Sequence, residues 1–221
     1  MLNLNAKTFR IKFEKSGVAK YISHLDLNRL FCRSLARAGI EVVHSEGFNP
    51  HPKIVFASAI SLGVESFCEF VDVKTNEIET PEQFRKKISG DFFPQGILFH
   101  RIYEPETKFK DIDSTAYSIF IKPDGFGAGE LNKLFGGDVF IEKKPGLNIN
   151  LKDYICEIYA LCSVNEECRE YPILINAVIR TNQEMFLNPE NIVRAVSAKY
   201  NIGDYFIRKQ QVYVKNGGVF M

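Results

Sequence analysis

The chain reads as an α+β protein made of two tandem ferredoxin-like (βαββαβ) halves, the second irregular and carrying an extra hairpin. Two observations predict this. Short apolar alternations of strand length are interleaved with stretches of helical spacing. The order strand-helix-strand-strand-helix-strand runs once before a polar stretch at 105–114 and nearly repeats after it. Composition agrees: 221 residues, 45% apolar, with 19 Phe and 9 Tyr, suit sheets covered by helices.

In the first half, 1–104, alternation over Thr8–Glu14 predicts a strand. Leu27, Leu30, Phe31, Leu35 and Ala38 follow helical spacing, so Leu25–Ala38 is a helix. Lys53–Ile60 and Phe67–Lys74 read as strands joined by a turn around Gly63. Pro81 opens a short helix to Ile88, and Ile97–Tyr103 closes the half as a strand. The linker, 105–114, is polar and without period. In the second half, 115–221, strands are expected at Ala116–Lys122, Val139–Lys143, Tyr154–Leu161, Ile173–Arg180 and Phe206–Val214. A Pro145-Gly146 turn separates the second and third of these strands. Helices are expected at Gly129–Phe135 and Pro189–Tyr200, the latter capped by Asn188.

The net charge of +1 excludes an obvious polyanion binder, yet the charge is unevenly spread. Between Lys7 and Ile60 nine basic residues face four acidic ones, and the rest of the chain is acidic. Five cysteines, an odd number with no CxxC spacing, argue against a full disulfide set. With a polar N-terminus and no long apolar run, the chain is expected to be cytoplasmic and to make no membrane contact.

Candidate functional residues gather between Ser23 and Ser66. Ser23, followed three residues later by Asp26, has the form of a capping box. That role is structural and leaves His24 unexplained, a first-turn imidazole that could serve as a base. Arg29, Arg33 and Arg37 recur every four residues as a stripe, with Asp26 as its only acid, and Gly39 ends the helix. Such a stripe is either a solvated face or an anion-binding one. In Gly47-Phe48-Asn49-Pro50-His51-Pro52 two prolines stiffen a loop, Gly47 permits a positive φ, and Asn49 and His51 are held extended. Lys53 follows and adds a positive charge. His24, His44 and His51 lie in this segment with Asp26 and Glu46, but their spacing matches no familiar metal motif, so neither metal nor cofactor is expected.

The run Tyr21-Ile22-Ser23-His24-Leu25-Asp26 is followed by Arg29, Arg33 and Ala38-Gly39. Further on come Ser45-Glu46-Gly47-Phe48-Asn49-Pro50-His51-Pro52-Lys53, then Leu62-Gly63-Val64-Glu65-Ser66 and Glu69. In order and spacing these blocks resemble the radical SAM-linked proteins, a bacterial family of unassigned function. Where relatives tend to have two adjacent arginines before Ala-Gly, this chain has Ala36-Arg37. The resemblance implies association with a radical S-adenosylmethionine (radical SAM) protein bearing a cobalamin-binding-like region. This chain lacks CxxxCxxC and is not itself such an enzyme.

Three functions follow. The first is a non-catalytic RNA-binding or substrate-presenting partner of a radical SAM enzyme in RNA modification. In it the arginines hold phosphates, Phe48 stacks on a base and Asn49 reads an edge. The second is a metal-independent ribonuclease using His24 and His51. The third is a small-molecule or metal-binding module of the partner enzyme.

Overall fold

The computed structural model describes residues 6–78, 80–163 and 169–221. It is a mixed α/β structure with antiparallel strand pairing and, among the described residues, four α-helices. The chain divides into two compact units, Met1–Lys108 with Met221, and Phe109–Phe220.

The first unit contains β1 (Lys7–Lys15), α1 (His24–Arg37), β2 (Ile54–Phe56), β3 (Glu65–Thr75), α2 (Pro81–Lys87) and β4 (Ile97–Tyr103). Its strands lie in the order β4-β1-β3-β2. Period-two alternation sends Phe9, Ile11 and Phe13 of β1 inward, where they meet Leu27, Phe31 and Leu35 of α1. Phe31 is the hub: its ring lies 5.1 Å from Phe13, 5.2 Å from Phe56 and 5.0 Å from Phe93. Thr80 caps α2 in a reciprocal box with Gln83, and Pro81 occupies the first turn.

The β2 expectation is corrected: pairing with β3 covers only Ile54–Phe56, not Lys53–Ile60. The small residues Ala57, Ser58 and Ala59 offer little side chain to pack on a neighbouring strand, and regular pairing stops.

The second unit contains β5 (Ile112–Asp124), α3 (Ala128–Gly136), β6 (Phe140–Lys144), β7 (Leu147–Asn150), β8 (Ile155–Cys162), β9 (Ile173–Arg180), α4 (Glu190–Ser197) and β10 (Asn201–Val214). The order is β10-β5-β9-β8, with β6 and β7 paired as a separate ribbon. Ile119, Ile121, Ile175, Ile179 and Ile207 are buried along the strands, as are Leu131, Ile192 and Val196 on the helices.

Four expectations here need correction. The polar stretch at 105–114 is not all linker, because β5 begins at Ile112. Ser114 reads as a linker residue, yet it and the adjoining Thr115 are buried, and the Thr115 hydroxyl shares a 2.7 Å hydrogen bond with Thr181. The Pro145-Gly146 turn joins β6 to β7, which the sequence reading did not assign, and a 3₁₀ turn at Leu151–Asp153 then leads to β8. Strand β10 starts at Asn201, five residues before Phe206, and α4 stops at Ser197.

Candidate functional site

Helix α1 is aimed by its start. The Ser23 hydroxyl accepts from the Asp26 amide at 3.1 Å and donates to the Asp26 carboxylate at 2.7 Å. Asp26 also accepts from Arg29 at 3.1 Å. The Ser23 hydroxyl and then Arg29 hold the Asp26 carboxyl below the ordinary carboxylate range. Gly39 sits past the helix end at φ +67°, its amide bonded to the Ala36 carbonyl. A four-residue step turns about 40° around a helix, so the arginines drift across the exposed face. Arg29 leans to Asp26, and Arg37 lies 5.9 Å from the Phe92 ring. Arg33, exposed between them, carries the least engaged charge.

The loop is pinned at its base. The Ser45 amide donates to the His51 carbonyl at 2.8 Å, and the His51 amide donates to the Ser45 hydroxyl at 2.9 Å. His44 and Pro52 form an antiparallel bridge, and the Lys53 amide donates to the Val43 carbonyl at 2.7 Å. Gly47 has φ +120°, which only glycine adopts without strain. Above these ties Phe48 is completely exposed, flanked by exposed Asn49, Pro50 and His51.

Helix and loop base share a cavity of about 390 Å³ lined by Cys32 and Ala36 of α1, and by Glu41, His44, Pro52 and Ile54. The two candidate catalytic histidines are not linked. His24 packs its ring edge-on to Phe56 at 5.4 Å, and no hydrogen bond joins it to His51. Among the described residues no three His, Cys, Asp or Glu side chains gather as a metal site needs. The described cysteines form no disulfide, and Cys168 lies outside the described residues. Among the described residues no helix is long and apolar enough to cross a membrane.

The charge reading changes. Two of the nine basic residues are not on the surface. Arg10 is buried in a bidentate pair with Asp72 at 2.7 and 2.9 Å. Lys15, fully buried, donates to the Lys20 carbonyl at 3.2 Å; burial pushes its pKa down, and Glu69 opposes that. Ser66 donates to the buried Glu69 at 2.6 Å, and the Gly63 amide donates to the same Lys20 carbonyl at 3.0 Å. This buried polar cluster fixes the approach to α1 and was missed as a unit. Its signal was Glu69, a lone acid inside the apolar run Phe67–Val71.

No curated protein matches the chain. The crystal structure of an unknown protein from Galdieria sulphuraria aligns over 92% of this chain and 98% of that one, at 10% identity and a TM-score of 0.28. That score is too low for either fold to be read onto the other. A family profile described as "Uncharacterized protein conserved in bacteria (DUF2344)" matches residues 8–189, most of the chain. The protein therefore belongs to this family of uncharacterised proteins conserved in bacteria.

Proposed function

We propose that the protein is a non-catalytic RNA-binding, substrate-presenting partner of a radical SAM enzyme, acting in RNA modification in the cytoplasm. One observation carries the RNA reading: Phe48 stands fully exposed on a backbone-pinned loop, with Asn49 and His51 beside it. An exposed ring on a loop pinned at its base can stack on an unpaired base, and the neighbouring amide can read the base edge. Exposed Arg29 and Arg33 on α1 supply charge for the phosphates. The radical SAM partner rests on the residue blocks from Tyr21 to Glu69 alone. The same reading treats each unit as a ferredoxin-like half. Its support is the shared strand order, β4-β1-β3-β2 in one and β10-β5-β9-β8 in the other, with β6 and β7 as an inserted hairpin.

Titration of the purified protein into a labelled single-stranded RNA at low salt tests the reading. Binding is expected to weaken about tenfold or more in Phe48→Ala, by loss of one stacked base. Wild-type protein that ignores RNA at low salt overturns it.

A further inference from the structure

The second unit holds a polar row that the N-terminal reading does not use. Tyr159 of β8 lies opposite Asn176 of β9, and Asn176 lies opposite Ser118 of β5. The three side chains therefore line up straight across three strands on one face. The neighbouring positions Ile119, Ile175 and Ala160 alternate to the other face and are buried. Gln210 of β10 donates from its amide to the Ser118 hydroxyl at 3.2 Å, and Ser118 donates to the Asn176 carbonyl oxygen at 3.0 Å. This relay engages the Asn176 oxygen and leaves its amide N–H groups as the donors it can offer a ligand. Glu157, two residues from Tyr159 on β8, shares that face and is exposed.

These groups line a cavity of about 230 Å³, together with Tyr213. No lysine or arginine is in the lining, so the site is not built for phosphate. What it presents is an aromatic ring, an amide donor and a carboxylate with two acceptor oxygens. One nucleobase edge is the complement. Guanine carries an acceptor, O6, beside two donors, N1–H and the exocyclic amine. A carboxylate takes both donors in a fork, and the charge strengthens both bonds.

We propose that this face of the second unit is a binding site for a guanine base. The base stacks on Tyr159, its N1–H and amine donate to Glu157, and its O6 accepts from Asn176. The site uses none of the N-terminal residues and stands whether or not the Phe48 loop binds RNA. Its guanine arrives either as a free nucleoside or as an unpaired residue in RNA, and the test separates the two.

Calorimetric titration of the full chain with guanosine, inosine and adenosine, and with a short single-stranded RNA carrying one guanine or one inosine, decides it. Saturable binding of guanosine or of the guanine RNA is expected, weakened about tenfold or more by inosine, which lacks the amine, and by Glu157→Gln. Tyr159→Ala should weaken it by a similar factor. Glu157 and Tyr159 are exposed, so the fold survives both changes. Tight guanosine binding assigns a nucleoside site; binding of the RNA alone assigns an RNA site. Absence of both, or binding indifferent to inosine and to Glu157→Gln, overturns the proposal.

Discussion

Ser23 and Lys15 show two ways in which one residue decides the geometry of the N-terminal site. Ser23 satisfies a helix-start amide that would otherwise lack a partner. Ser23→Ala should cost about 1 kcal/mol of stability, read as a lowered midpoint in urea. This cap was legible because a serine with an acid three residues on has few other uses. Lys15 was not legible, since a lysine ending a strand looks like any surface cation. Burial lowers its pKa, so the folded chain holds that proton less tightly than the unfolded one. The penalty is full at lower pH and is relieved as pH rises from the lowered value towards the ordinary 10.5. Lys15→Met should remove this slope. Urea unfolding of both proteins across the alkaline range should show wild type gaining on the variant as pH rises; parallel curves would contradict the assignment.

At the scale of elements, helices were easier to read than strands. Helix α1 announces itself through its spacing, its Ser23 cap and its terminal Gly39, and it differs from the expected Leu25–Ala38 by one residue at each end. Strands that bury hydroxyls look like loops, which is why Ile112–Ser114 was assigned to a linker. Strand β10 begins at Asn201-Ile202-Gly203-Asp204, a turn-like sequence that the ladder with β5 overrides. The seat of α1 is the Phe31 cluster. Phe31→Ala should cost about 3–5 kcal/mol, because rings on several sides cannot close around the gap. A loss below about 1 kcal/mol on thermal unfolding would mean that the cluster repacks freely.

At the scale of the whole chain, charge was the least reliable guide. Its basic excess near the N-terminus includes Arg10 and Lys15, which are spent on the interior. Of the seven left, Lys7, Arg29, Arg33 and Arg37 are exposed, and Arg29 and Arg33 are the proposed phosphate contacts. If these meet phosphates, the dependence of RNA affinity on salt should flatten when both are removed. For single-stranded RNA the slope of log affinity against log salt should fall in magnitude by about 1.4 in an Arg29→Ala, Arg33→Ala double variant. An unchanged slope would return the arginines to the role of a solvated face. Asn49 and His51 were legible as a proline-stiffened pair. The part that needed coordinates was Phe48, since nothing in the order of residues says whether a phenylalanine in such a loop folds back or stands clear.

The most direct measurement is fluorescence anisotropy of a labelled single-stranded RNA titrated with wild type, Phe48→Ala and the double arginine variant from low to moderate salt. The account predicts salt-sensitive wild-type binding, an affinity loss of about tenfold or more in Phe48→Ala with the salt slope kept, and a flatter slope in the arginine variant. Wild-type protein that fails to bind at low salt, or a Phe48→Ala variant that binds as wild type does, would contradict it.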